Sequence, residues 1–236
     1  MSEVDVLKRI IQGKLLSPAL IKLLPRTGLC LIAGGIGSGK SCLAYGILEY
    51  MHVRYPRRKI AVFGFPEDKV KTLPDWIIPL YDDEFPDGSV VLIDEAYIQF
   101  HSRESMSERS KFIDLFSGLV RQKDIFGIFI SQTFRKLDIG ILSSAQLVLI
   151  KKPPLLQVKM DRSEIRNILT EALECFKQAA KKGYDPHKCV YAISNEKDFI
   201  GFIVNSNYPP TFWSEKLSKP YRGVKLSEMI ARYKSK

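Results

Sequence analysis

Gly34-Gly35-Ile36-Gly37-Ser38-Gly39-Lys40-Ser41 decides the reading of this chain of 236 residues. The octet fits G-x-x-x-x-G-K-[ST], the phosphate-binding loop, or P-loop. The residues on either side agree with it. Leu29-Cys30-Leu31-Ile32-Ala33 is a short apolar run, as a buried parallel strand requires. Beyond Ser41, apolar residues recur at Leu43, Ala44, Ile47, Leu48 and Met51, which is helical spacing. In such a loop the glycines let successive N–H groups converge on an anion, and the following helix adds its positive end. Gly35, Ile36, Gly37, Ser38, Gly39, Lys40, Ser41 and Cys42 are therefore the expected nucleotide-binding residues. Lys40 would reach the β- and γ-phosphates, and the Ser41 hydroxyl would ligate Mg²⁺.

Val90-Val91-Leu92-Ile93-Asp94-Glu95 places two carboxylates at the end of another buried strand. Open α/β sheets bind their ligands at that end. Asp94 is the expected metal-shell carboxylate. Glu95 is the expected general base that polarises the attacking water. A third run, Phe126-Gly127-Ile128-Phe129-Ile130, ends in Ser131-Gln132-Thr133. The Gln132 amide can accept from water and donate to phosphate, which makes it the expected water- or γ-phosphate-sensing residue.

These residues together resemble a known group. The strand ending in Asp94-Glu95, with Gln132 closing the next core strand, is similar to the additional-strand catalytic-glutamate, RecA-like division of P-loop NTPases. The segment from Ile93 to Tyr97, Arg121 before the sensor strand and Ser131-Gln132-Thr133 resemble the FtsK–HerA superfamily, which includes viral genome-packaging ATPases. The resemblance covers roughly residues 28–151. It implies an α/β fold whose parallel strands stand in the spatial order 5-1-4-3-2, with ATP and Mg²⁺ as cofactors. It also implies a homo-oligomeric ring, hexamer or pentamer, that acts on DNA, with a capsid or portal as a further partner. Arg121 would be the arginine that enters a neighbour's site, with Arg103 and Arg109 as rivals.

Five strands are expected, at 29–33, 59–65, 90–93, 126–130 and 146–150. Residues 3–16 read as a short amphipathic helix and 105–123 as a longer one with Phe112, Phe116, Leu119 and Val120 on one face. Residues 66–89, rich in Pro, Asp and Gly, read as an irregular loop. Asp161 and Glu164 suggest an acidic capping box opening a helix with Ile165, Ile168, Leu169, Ala172, Phe176 and Ala179 on one face. Residues 189–194 and 199–204 flank Asn195-Glu196-Lys197-Asp198 as a β-hairpin. The expected organisation is an N-terminal helical segment over 1–27, an ATPase core over 28–152 and an extension over 153–236 packed on that core.

Net charge is +10, from 36 Lys+Arg against 26 Asp+Glu, which suggests a polyanionic partner, nucleic acid first and an anionic membrane second. Arg103, Arg109 and Lys111, after the acidic strand end, could touch DNA phosphates without reading sequence. Arg54, Arg57, Arg58 and Lys59 form a second basic cluster, either a solvated edge or another phosphate contact. The four cysteines form no C-x-x-C pair, which argues against zinc and for a reduced, intracellular, cytoplasmic setting; the resemblance to packaging ATPases adds virion association as a further location. No apolar run reaches the length of a membrane span, so stable membrane insertion is not expected. Three functions remain open from sequence: a DNA translocase, an assembly or export ATPase of the zonular-occludens-toxin-like kind, and a nucleotide-gated interaction protein without motor activity.

Overall fold

In the computed structural model, the described residues are 16–82, 84–94, 106–132, 139–204 and 209–220. Their elements run in the order α1 (Pro18–Leu23), β1 (Gly28–Ala33), α2 (Lys40–Arg54), β2 (Ile60–Phe63), β3 (Ile77–Leu80), β4 (Val90–Asp94), α3 (Met106–Gln122), β5 (Phe126–Ser131), α4 (Ile139–Ser144), β6 (Leu147–Ile150), α5 (Leu155–Met160), α6 (Ser163–Lys181), β7 (Cys189–Ser194), β8 (Phe199–Val204) and α7 (Glu215–Ser218). Short 3-10 turns occupy Glu67–Thr72 and Pro186–Lys188.

All eight strands form one sheet, in the order β3-β2-β4-β5-β1-β6-β7-β8. The six from β3 to β6 are parallel, and β7 and β8 are antiparallel. The expected 5-1-4-3-2 order is present as β6-β1-β5-β4-β2. The sheet is longer than that at both edges. Residues 66–89 are not wholly irregular: Ile77–Leu80 pair with Ile60–Phe63 as an edge strand. Pro79 hides this strand in the sequence, yet an edge tolerates a residue that cannot donate on its outer side. At the other edge the expected hairpin is present and continues the same sheet, with Ile150 opposite Tyr191.

Alternation along the strands builds two apolar layers. On one face Cys30, Ile32, Val90, Leu92, Ile128 and Leu149 pack with α1, α2 and residues 212–217. On the other face Leu29, Leu31, Val91, Ile93, Phe129 and Ile150 pack with α3 and α6. Strands buried on both sides read as unbroken apolar runs for this reason. Gly127 lets α3 lie close, because a Cβ there would come within 2.6 Å of the Phe116 ring. Helix α6 buries Ile165, Leu169, Ala172, Leu173, Phe176 and Ala179, whereas Ile168 is exposed.

The capping box does not form. Helix α6 begins at Ser163 with Arg162 as its cap, and no side chain closes it. Buried Asp161 lies one residue too early; its Oδ1 accepts from the Arg162 N–H at 2.9 Å. The amphipathic helix expected over 3–16 falls outside the described residues apart from Leu16. Among the described residues no helix is long and apolar enough to cross a membrane.

Candidate functional site

The octet lies between the C-terminal end of β1 and the first turn of α2. Gly37 and Gly39 take left-handed backbone angles, φ 72° and 90°, which side-chain residues rarely adopt. Gly34, at φ 152°, runs so close to β6 that a Cβ would stand 2.8 Å from the Lys151 carbonyl oxygen. Gly39 caps α2 without a side chain. The opening N–H groups of α2 have no partners within the helix and face the loop, where the helix dipole also favours negative charge. Lys40 is nearly buried, and its Nζ donates to the carbonyls of Gly34 and Gly35 at 2.8 Å each. The ammonium thus spans the mouth of the loop. Among the described residues, buried Ser38 Oγ has no hydrogen-bond partner, a polar atom suited to an added ligand.

A second lysine supports the loop from beneath. Lys151 follows β6, and its N–H donates to the Ala33 carbonyl at 2.8 Å. Only 1% of it is exposed. Its stem fills the space under Gly34 and Gly39, and its Nζ donates to the carbonyls of His187 and Cys189 at 2.6 and 2.9 Å. Burial pushes its pKa down to about 8; the nearby Cys189, Cys42 and Asp185 oppose that shift and Lys40 adds to it. Burial likewise raises the Cys42 thiol to about 11, against the pull of Lys151, so Cys42 is a neutral thiol at the loop. Sequence reading missed Lys151 as a site residue: it lies just past the strand expected over 146–150. The available signal was its place between an apolar run and two prolines.

Asp94 closes β4 and is half-buried. The register sets it level with Ile130, while Ala33 is level with Ser131. The end of β1, the end of β5 and Asp94 therefore share one edge of the sheet. Gln132 follows Ser131 directly and is exposed at that edge. Ser41, in the first turn of α2, is half-buried. A hydroxyl and a carboxylate are hard oxygen donors of the kind Mg²⁺ takes together with phosphate and water. Among the described residues no cluster of three or more His, Cys, Asp or Glu could hold a metal ion.

Glu95 and Arg103 lie outside the described residues. Arg109 and Lys111 belong to the opening turns of α3. Arg121 is exposed in the last turn of α3, at the opposite edge of the sheet from the P-loop. The bonds beside it fix that position: Gly88 N–H donates to Lys123 O, and Gly28 N–H to Ile125 O, where strands begin. The structure thus gathers the P-loop, Asp94 and Gln132, and separates Arg121 from them by the length of the strands.

Arg58, read from sequence as part of a basic cluster, is used by the fold instead. Its guanidinium donates to the carbonyls of Gly88, Arg26, Ser89 and Asp124 and so ties together the strand-start edge next to Arg121. Burial, and secondarily Arg26, lower its pKa.

Two cavities flank the loop. One, of about 370 Å³, lies between residues 35–38 and Pro153, Pro154, Pro186 and His187. The other, of about 410 Å³, lies between residues 37–42 and His187, Pro209, Trp213 and Ser218. What Pro153, Pro154, Pro186, His187, Pro209, Trp213 and Ser218 add to the loop comes from beyond residue 151, where sequence reading placed no site residue.

No protein-family model matches the chain, and no curated protein matches it. Solved structures do. B204, the DNA-packaging ATPase from Sulfolobus turreted icosahedral virus, superposes with a TM-score of 0.50 at 18% identity, over 76% of this chain and 97% of that one. The genome-packaging NTPase B204 from Sulfolobus turreted icosahedral virus 2 gives 0.49 with ATP-gammaS, at 16% identity, and 0.49 with AMP, at 15%. These cover 75% of this chain and 96% and 97% of theirs. The chain has an α/β P-loop ATPase fold, and its structural neighbours are viral genome-packaging ATPases of the kind its motifs resemble.

Proposed function

We propose that the chain is an ATP-hydrolysing motor subunit that packages or pumps double-stranded DNA as an oligomeric ring. The observation that carries the proposal is the shared edge: the P-loop with Lys40 across its mouth, Asp94 and Gln132 all lie where one sheet ends. The backbone N–H groups of residues 35–41 bind the phosphates, and Lys40 leaves the Gly34 and Gly35 carbonyls to reach the β- and γ-phosphates. Ser41 and Asp94 would hold Mg²⁺, which neutralises charge on the phosphates when bound. Glu95, next after Asp94 in the sequence, takes a proton from the attacking water, and Gln132 orients that water.

Arg121 serves a neighbouring subunit in this reading. β5 has six residues, so at about 3.3 Å per residue Arg121 stands roughly 20 Å from its own P-loop edge. A head-to-tail contact would bring that edge to the next subunit's P-loop, and such contacts form a ring when the rotation between subunits closes. The basic charge of +10 supplies phosphate contacts to DNA, with Arg103, Arg109 and Lys111 as the candidate residues. A capsid or portal would be the partner through which a packaging motor acts.

Hydrolysis by the wild type, Lys40→Ala and Glu95→Gln tests the site. Lys40→Ala should lose both ATP binding and turnover. Glu95→Gln should bind ATP and turn over at least a hundredfold more slowly, the scale of a lost general base. Rapid hydrolysis by Glu95→Gln would remove Glu95 from its role.

A further inference from the structure

The loop and acids account for a triphosphate but leave the nucleoside unplaced. The sheet order says where it goes. Asp94 and Gln132, on β4 and β5, stand to one side of β1. The γ-phosphate must lie toward them, so the nucleoside leaves toward the other side, over β6 and β7. The 410 Å³ cavity is on that side. It starts at the phosphate loop, passes the first turn of α2 at Ser41 and Cys42, and reaches Trp213 and His187. Its volume is within the range of small-ligand sites.

Trp213 is held there by a specific anchor. Glu49, in the middle of α2, is only 2% exposed. Burying a carboxylate is costly unless it is hydrogen-bonded. The N–H of Thr211 donates to both Glu49 carboxylate oxygens at 3.1 Å, and the Thr211 hydroxyl donates to Oε1. The Trp213 N–H then donates to the Pro210 carbonyl at 3.0 Å, and the indole packs on Tyr45 with ring centroids 5.9 Å apart. A segment 162 residues away in sequence is thereby fastened to the helix that carries Lys40 and Ser41. Trp213 remains only partly buried and lines the cavity.

We propose that this cavity is the nucleoside subsite, and that the base of a nucleoside triphosphate stacks on the Trp213 indole. The assignment rests on the nucleotide-binding reading above. It gives residues 209–218 a function: they close the site over the nucleoside and make binding depend on the base as well as on the phosphates.

The test compares ATP with inorganic triphosphate, which shares the phosphates and lacks the nucleoside. Affinities are measured by calorimetry on the wild type, Trp213→Ala and Trp213→Phe. Stacking on an aromatic side chain predicts that Trp213→Ala weakens ATP about tenfold and leaves triphosphate unchanged. Trp213→Phe should recover most of the loss. The chain has two tryptophans; with Trp76→Phe only Trp213 emits, and ATP should quench that emission while triphosphate should not. This quench decides the matter if Trp213→Ala does not fold. Equal weakening of both ligands, or ATP binding without a quench, overturns the subsite. A wild-type chain that binds neither ligand overturns the nucleotide reading itself and the subsite with it.

Discussion

Replacing Lys151 by Met keeps a long stem beneath Gly34 and Gly39 and removes the ammonium. In the unfolded chain this lysine titrates at 10.5, and in the fold at about 8, with burial as the main cause. Below pH 8 both states hold the proton, and the fold bears the full cost of burying the charge. The difference between the two pKa values corresponds to about 3 kcal/mol. Between pH 8 and 10.5 the unfolded chain keeps the proton and the native chain has lost it. Native stability therefore rises with pH in this window, by about 1.4 kcal/mol per unit. The neutral amine still has two N–H groups for the carbonyls of His187 and Cys189, so the hydrogen bonds survive deprotonation. Methionine has no proton to lose. Urea unfolding of the wild type and Lys151→Met at pH 7 and pH 9.5 isolates the effect, because other titrating groups largely cancel. The wild type should gain about 2 kcal/mol on the variant between the two pH values. An unchanged difference would refute the buried, weakly basic ammonium.

Four other substitutions probe the scaffold and the contact between subunits. Gly34→Ala places a Cβ 2.8 Å from Lys151 atoms at φ 152°; it should cost on the order of 2 kcal/mol and weaken ATP binding at least tenfold, and an unaltered Tm would contradict the close approach. Arg58→Ala removes donors from four carbonyls and should destabilise by about 3 kcal/mol in urea, whereas exposed Arg57→Ala should stay within about 0.5 kcal/mol. Arg121→Ala chains mixed with wild type should depress ATPase activity more steeply than their share of the mixture, if the arginine serves a neighbour; a proportional decline would argue against that.

Much of the core was legible because it is local. The octet, the apolar run ending at Asp94 and the run ending at Ser131 each carry their own periodicity, and their sheet order follows from the resemblance they support. The rest depends on contacts that sequence spacing does not reveal. Pro79 masks an edge strand because only the neighbouring strands decide that its missing donor faces outward. Asp161 and Glu164 fit a capping pattern, but the chain enters α6 one residue later than that pattern requires. Glu49 looks like an ordinary polar residue between Leu48 and Tyr50 until Thr211 arrives from the far end of the chain. Lys151 and Trp213 belong to the same class: their surroundings are assembled by the sheet and its extension, not by neighbours in sequence.

The motor claim is tested most directly by the ATP hydrolysis rate with and without double-stranded DNA, across a salt series, with the oligomeric mass determined in the same buffer. The account predicts an oligomeric ring whose hydrolysis is stimulated by DNA, with the stimulation fading as salt screens the phosphate contacts. A monomer whose hydrolysis is the same with and without DNA at every salt concentration would contradict it.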